Sequence, residues 1–585
     1  LWQQRAVCRR TAEAVVQRQG LDRLLVDVLI GRGVGEDELA GYLKPSLREQ
    51  LPDPYVLTEM DKAAGRLADA VTGGETVGIF GDYDVDGTTA AALLYRYLKA
   101  VGANVVVHLP DRFTEGYGPS REGFRSLEEQ GASVIVTVDC GSNHAGVVEA
   151  SSADVVILDH HLMSARPDVF ALVNPQRPGD ASGLVGLSAG GVTFMTLVAL
   201  NRLLREKGLF EARAEPRLLQ SLDLVALSLI ADVMPLRGLT RTLVAQGLRV
   251  LGQFGDAGTG NPGLRALASV AGLQGTAQAS HLGFQIGPRI NAAGRIGHAK
   301  TAFDLLTTDD PARAVLIAQK LEALNRERKR LEEEVRRQAF EQAEAMGASG
   351  GSAIVTVGEG WHPGVVGIVA GRLKERFNRP AFCIALGEGK GTGSGRSVAG
   401  VDLGSAVSAA AAAGVIDGGG GHAMAAGLSL REGQLEDFRA FLDEELGSAV
   451  AAATETHPLV LDGVVGLGAV HAQTCRHLAP AGPYGAGNPE PRFAMEAVKL
   501  RHVRIVGERH LSVTIEDRMG KTARAIAFGC VGEPLGDLLE TAGERRVHLA
   551  GRITPDTWRG GDAAQIEIDD AAEVSFDPSE IEKRA

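Results

Sequence analysis

The chain has 585 residues, 75 of them glycine, with 5 % aromatic residues and a formal net charge of −13. That length exceeds what one hydrophobic core serves and predicts about three or four domains; the negative balance argues against a general nucleic-acid coat while leaving room for a local basic groove. No charge-free apolar run reaches membrane-spanning length, and the scattered Cys8, Cys140, Cys383, Cys475 and Cys530, with no C-x-x-C pair, indicate neither a zinc site nor a disulfide framework, as expected in a reducing cytoplasm.

The opening LWQQRAVCRRTAEAVV lacks the apolar core and cleavage site of a signal peptide, and without an initiator Met the numbering is expected to begin inside the gene product. Residues 1–75 read as a mostly helical segment without a catalytic cluster. From 76 the pattern alternates strand and helix. TVGIF, NVVVHLP, SVIVTVD and DVVILD are strand-like runs, and this βαβ grammar predicts a parallel sheet.

The first strand runs into GDYDVDGTT, where Asp82, Asp84 and Asp86 alternate and Gly87 follows. Such crowding of like charge calls for a cation. The pattern opens like a calcium loop, but position twelve, where a bidentate Glu belongs, is Leu93. TTAAALLYRYLKAVG is helical in period and ends at a Gly stop, so the acids lie at the carboxyl end of a strand, where open α/β sheets place ligands. Two further strand ends carry Asp139 (VTVDCG) and Asp159, His160 and His161 (ILDHH). Asp232 closes the apolar helical run LDLVALSLIAD. Parallel strand ends lie side by side, so these groups can converge. Carboxylates with imidazole and no thiolate suit Mn²⁺ or Mg²⁺ better than Zn²⁺, and a pair of such ions is the arrangement that clamps a phosphate ester.

Residues 311–346 predict one long helix of mixed charge, either a solvated strut or a nucleic-acid-facing element, with Arg326, Arg328, Lys329 and Arg330 as its basic part. A second α/β block follows, to about 447. It holds GTGSGRSVAGVDL, with Ser394, Arg396 and Ser397 among glycines, and DGGGGHAMAAG, with His422. Both are expected to be glycine-rich turns, whose exposed backbone N–H groups suit a phosphate. Beyond 455, MEAVKLRHVRIVG, HLSVTIED, ARAIAFG and RRVHLAGRIT predict a small barrel such as an OB-fold. The tail DPSEIEKRA is expected to fray.

On GDYDVDGTT, LPDRFTEGYG, TVDCG, ILDHH, LDLVALSLIADVMPL, PRINAAGRI, GSGRS, GGGGHAMAAG and PYGAGNPEPRF, in that order over residues 50–575, the chain resembles the DHH phosphoesterase superfamily, and within it the bacterial single-strand-specific 5′→3′ DNA exonucleases. The resemblance implies an α/β fold: a parallel-sheet DHH catalytic domain (76–310) after the helical segment 1–75, a connecting helix (311–349), a DHH-associated substrate-binding domain (350–447) and a C-terminal OB-fold β-barrel (455–575), around a central channel. It implies a two-metal Mn²⁺ or Mg²⁺ site held by Asp82, Asp84, Asp86, Asp139, His160 and Asp232, with His161 either supporting those ligands from behind or contacting phosphate. It implies that Arg112 and Tyr117 hold the DNA 5′ end and stack on its terminal base, that Ser394 and Arg396 form a 5′-phosphate pocket, and that Arg289 and His422 contact the strand's backbone. In the barrel, Arg501, Arg504 and Lys521 are candidate strand contacts. Cys140 stands where the family often has Asn. The implied activity is metal-dependent degradation of single-stranded DNA to 5′-mononucleotides in DNA repair and recombination, by a monomer in the cytoplasm, with a RecQ-type helicase and a single-strand-binding protein as partners and no membrane.

Besides an inorganic pyrophosphatase of the same superfamily, which is shorter and has no need of the barrel, two alternatives stay open at this level. One is a DHH phosphodiesterase for short oligonucleotides, which has no need of the long helix and barrel. The other is an inert single-strand-binding replication scaffold, which has no need to keep every acid and the His pair.

Overall fold

A computed structural model describes residues 2–255, 260–347, 351–453, 458–556 and 563–574; the tail DPSEIEKRA lies outside them. They form two compact units, one of residues 52–234 and 246–456, the other of residues 1–51, 235–245 and 457–585. This grouping cuts across a linear partition, because the first 51 residues fold with the C-terminal segment.

In the larger unit the first sheet contains β1 (Thr76–Gly81), β2 (Asn104–His108), β3 (Ala132–Val138), β4 (Asp154–Leu158) and β5 (Ala171–Val173). Their order is β2-β1-β3-β4-β5 and every pair is parallel. Beyond Thr76, β1 is buried along its whole length, which is why it reads as an unbroken apolar run. Helices α1 (Val85–Ala100), α2 (Ala189–Glu206) and α3 (Leu222–Ala231) pack together beside this sheet. The chain leaves β1 for β2 on one side and returns to β3 on the other. The carboxyl ends of β1 and β3 therefore flank the topological switch point, where diverging connections leave a crevice.

α4 (Gly287–Ile296) precedes the long α5 (Pro311–Met346). Asp310 caps α5 by accepting from the Ala312 N–H at 2.9 Å, and Pro311 occupies the first turn. Ala314, Ala318, Leu321, Asn325 and Arg328 are buried at helical spacing. A second sheet follows, made of β6 (Ile354–Glu359), β7 (Ala381–Gly387), β8 (Lys390–Arg396), β9 (Gly418–His422) and β10 (Ala425–Arg431), in the order β9-β10-β8-β7-β6. α6 (Pro363–Phe377) connects β6 to β7, and α7 (Leu403–Ala412) connects β8 to β9.

Here the structure corrects the reading of the glycine-rich segments. Each contains strand where a turn is expected, residues 391–396 of the first and 418–422 and 425–427 of the second: β8 is laddered to β7 and β10, and β9 to β10. The β8 amides are thus committed to the sheet instead of being free for a phosphate. The glycines hid the strands because they lack side chains that favour a pleat, and cross-strand pairing, in the β7–β8 and β9–β10 hairpins and between β8 and β10, reveals them.

In the smaller unit, β11 (Phe493–Val506), β12 (His510–Glu516), β13 (Thr522–Ala527), β14 (Arg546–Pro555) and β15 (Ala564–Glu573) run in the order β11-β12-β13-β15-β14, and the β11–β14 pairing closes a five-stranded barrel. The N-terminal segment belongs to this unit. Trp2–Gln4 pairs in parallel with Leu459–Leu461. Val28 is buried in the barrel's core cluster, with Leu24 packed against it. Arg32 donates to both oxygens of Asp462, at 2.9 and 3.0 Å. Arg501 is tied to Glu516 and Glu544, at 3.0 and 2.6 Å, whereas Arg504 and Lys521 are exposed without an ion pair among the described residues. No helix among the described residues is long and apolar enough to cross a membrane.

Candidate metal centre and phosphate pocket

The acidic loop is built by the junction of β1 and α1. Asp82 follows the strand. Asp84 caps the helix, accepting from the Gly87 N–H at 3.0 Å. Asp86 sits in the first turn and accepts from the N–H groups of Ala189 and Gly190, at 2.7 and 3.0 Å, at the N-terminus of α2. Ser228 of α3 also hydrogen-bonds to it. Position 87 must be glycine, because a Cβ there would lie 2.7 Å from the Asp82 backbone.

The alternating acids meet the other two strand ends. His160 Nε2 lies 3.2 Å from Asp139, 3.5 Å from Asp232 and 3.7 Å from Asp86. Ligand atoms of Asp86, His160 and Asp232 lie within 4.8 Å of one another, as do those of Asp82, Asp84 and Asp139, and those of Asp139, His160 and His161. The first two triads share no residue. Asp139 adopts φ 64°, a left-handed conformation uncommon for a non-glycine residue and typical of strained functional sites. The Thr137 hydroxyl, donating to the Cys140 carbonyl at 2.9 Å, closes this turn.

Asp82, Asp86, Asp139 and His160 are all buried. Burial, with the charges of neighbouring acids, pushes the Asp82 and Asp139 carboxyls well above their usual range, and the same causes raise Asp232 to about 8. Burial lowers His160. Asp82 Oδ1 and His160 Nδ1 are buried with no hydrogen-bond partner. Concentrated carboxylates with orphaned ligand atoms are costly unless cations compensate them. The donor set, oxygen and imidazole without sulfur, fits Mn²⁺ or Mg²⁺.

Asp159 does something different. It accepts from the N–H groups of His160 and His161 and from His161 Nδ1, at 2.7, 3.2 and 2.8 Å, and so shapes the turn that aims both imidazoles. Burial alone would lower His161, but the Asp159 hydrogen bond and nearby acids outweigh it and raise the imidazole to about 9. His161 stacks on His422 at 5.8 Å and 17°, bringing the two sheets' side chains together. The Tyr117 hydroxyl lies 3.2 Å from His161 Nε2, and the residue remains 48 % exposed, with ring surface left for stacking.

Beside this cluster lies a second feature. Arg396 Nη1 donates to Ser394 Oγ at 3.0 Å. Arg295 donates to the Gly364 carbonyl at 3.0 Å, and Arg112 lies over the Tyr83 ring at 5.3 Å. Burial and the charges of Arg112 and Arg396 hold Arg295 down to about 10. None of the three guanidiniums has a carboxylate partner among the described residues. A Cβ at Gly367 of α6 would lie 2.8 Å from Ser394 Oγ and 3.1 Å from Arg396, so the glycine keeps this pocket open.

The structure thus gathers Asp82, Asp84, Asp86, Asp139, His160, His161, Asp232, Tyr117 and His422, and, beside them, Arg112, Ser394 and Arg396. Arg289 is held by Glu322 at 2.6 Å and the Gln285 carbonyl at 2.7 Å. Arg295, in the same PRINAAGR motif, is the arginine that reaches the pocket, and sequence reading passed over it. His144, whose ring lies 5.8 Å from Tyr117, was also missed; its place in GSNH was the available signal.

Comparison with known proteins gives three family matches along the chain: DHH family, N-terminal domain, over 76–228; DHHA1 domain, over 350–448; and RecJ OB domain, over 461–570. The single-stranded-DNA-specific exonuclease RecJ of Salmonella typhimurium is 36 % identical over 97 % of this chain and 99 % of its own length. That of Escherichia coli is 36 % identical over 94 % and 96 %. Among solved structures, RecJ from Thermus thermophilus in complex with Mn²⁺ matches with a TM-score of 0.79 and 30 % identity, covering 98 % of this chain and 80 % of that one. Its Mg²⁺ complex matches with a TM-score of 0.74, covering 98 % and 79 %.

Proposed function

The chain belongs to the RecJ family of single-stranded-DNA-specific exonucleases, and from that membership we propose that it degrades single-stranded DNA in the 5′→3′ direction, releasing 5′-mononucleotides. The observation that carries this reading is the juxtaposition of a seven-residue acid–imidazole cluster with three arginines that form no ion pair among the described residues. Asp82, Asp84, Asp86, Asp139, His160 and Asp232 would hold two divalent cations. Bound there, Mn²⁺ or Mg²⁺ supplies Lewis-acid polarisation of the phosphodiester and a water of lowered pKa.

The chain's own groups do the rest. Arg112, Arg295, Arg396 and Ser394 bind a terminal 5′-phosphate with charge-assisted hydrogen bonds, and this sets polarity. Tyr117 stacks on the terminal base, a contact worth about 1–3 kcal/mol. His161, kept protonated by Asp159, and His422 donate to phosphate oxygens of the same strand. The barrel grips the incoming strand, with Arg504, Lys521 and the half-exposed Phe528 as contacts. Repair and recombination in the cytoplasm, action as a monomer, and partnership with a RecQ-type helicase and a single-strand-binding protein belong to the same proposal.

The test is digestion of single-stranded DNA labelled at one end, with Mn²⁺ or Mg²⁺, beside Asp84→Ala. Immediate release of labelled mononucleotide from the 5′ end, abolished by the substitution, is the expected result. Long strands that bind but survive would favour an inert scaffold, and cleavage restricted to substrates of a few nucleotides would favour an oligonucleotide phosphodiesterase.

A further inference from the structure

The larger unit holds a cavity of about 590 Å³, lined among others by Tyr95, Arg96, Lys99, Arg217, Asp223 and Asn261. It lies at the far ends of two helices that carry the metal centre. Asp86 and Lys99 stand thirteen residues apart on α1, about 20 Å at 1.5 Å per residue. Asp223 lies in the first turn of α3 and Asp232 follows its last residue, about 14 Å along the same kind of rise. The two helices are tied near the metal end by the hydrogen bond from Ser228 to Asp86.

We propose that this cavity binds a nucleoside monophosphate, and that its occupancy is felt at the metal centre through α1 and α3. The volume falls in the range of small-ligand sites and far exceeds what inorganic phosphate fills. The charges are unequally engaged. Asp309 pairs with Arg96 at 2.6 Å. Asp223 accepts from the N–H groups of Asn261 and Leu224, at 2.6 and 2.8 Å, so its carboxylate is bonded to backbone. Lys99 and Arg217 have no side-chain partner among the described residues. Two free cations match a phosphate monoester, which carries roughly −1.5 to −2 at neutral pH. Tyr95 is half-buried with its ring edge-on to Phe303 at 5.3 Å, and it offers an aromatic surface to a base. The regulatory half rests on the exonuclease reading, under which mononucleotides accumulate as product; the binding half does not.

The test titrates metal-free full-length protein with deoxyadenosine 5′-monophosphate, inorganic phosphate and deoxyadenosine by calorimetry. Arg396→Ala disables the other phosphate pocket, and Lys99→Gln with Arg217→Gln removes the cavity's free cations. Arg396→Ala should retain one nucleotide-binding event, at least tenfold tighter than either fragment. Adding the two glutamines should weaken that event tenfold or more, while the glutamine pair alone leaves the basal nuclease rate and melting temperature unchanged. Loss of all nucleotide binding in Arg396→Ala, indifference to the glutamine pair, or equal affinity for inorganic phosphate would overturn the site. For the coupling, the nucleotide should change Mn²⁺ affinity in Arg396→Ala at least threefold and leave it unchanged in the triple variant; no change in Arg396→Ala overturns that half. Failure of the exonuclease reading would show separately, as wild-type protein that leaves long strands intact.

Discussion

Arg112, Arg295 and Arg396 repel one another, and none of them makes a direct ion pair with a described carboxylate, Asp84 easing Arg295 only from a distance, so the cluster suits a phosphate supplied from outside. Arg396→Ala should lower kcat/KM on a 5′-phosphorylated strand by about thirtyfold or more, the cost of removing one partner of a desolvated charge pair, and barely affect a 5′-hydroxyl strand. Equal losses on both substrates would remove the phosphate assignment. Glu59 makes the opposite case, a charge that the fold already satisfies. Burial would raise its carboxyl, but the hydrogen bonds from Arg166 and the Leu172 N–H, with Arg177, outweigh burial and hold it at about 2. A depressed acid stabilises the fold above its unfolded pKa and loses that contribution as pH falls from about 4.5 toward about 2. Glu59→Gln should therefore cost on the order of 3 kcal/mol in denaturant melts at neutral pH, with the difference shrinking below pH 4.

At the scale of elements, α5 resolves an ambiguity that its sequence left standing. Arg326 pairs with Glu322, Arg328 with Glu332, and Arg330 with Glu327 and Glu334. The basic stretch is thus largely balanced within its own helix, three and four residues apart, which favours the strut over a strand-facing role. Arg326→Gln with Arg330→Gln should change the salt dependence of single-strand binding by less than one unit of slope, and stability by less than about 1 kcal/mol; a slope reduced by two would place the helix on the strand. The glycine-rich strands β8 and β9 teach a related lesson. Their sequence points to phosphate through free backbone amides, whereas the structure commits those amides to the sheet and instead brings the Ser394 and Arg396 side chains together, because alternate residues of a strand share a face.

For the whole molecule, the N-terminal segment's place matters most. Arg241 lies over the Tyr42 ring at 3.6 Å and donates to the carbonyls of Tyr42, Pro480 and Gly482, so three separated stretches of chain close one unit. Removing residues 457–585 would strip Val28 and Leu24 of their barrel contacts and leave Arg241 without two of its acceptors. We expect a marked fall in soluble yield and rapid proteolysis within residues 1–51, read by limited digestion and mass mapping. A truncated chain whose first 51 residues stay protected would contradict this.

Local grammar alone determined the parallel sheet, the long helix, four of the five barrel strands and the acid and imidazole groups at three strand ends. These depend on periodicity, caps and strand-end position, all of which act over a few residues. Asp139, His160 and Asp232 were legible because they end strongly patterned elements. Tertiary structure decided what depends on distant partners: that Arg295 reaches the pocket, that β8 pairs with β10, and that residues 1–51 fold with the C-terminal barrel. In each of these the deciding interaction joins segments far apart in the chain, and no local pattern encodes which arginine, or which edge of a sheet, the distant partner will meet.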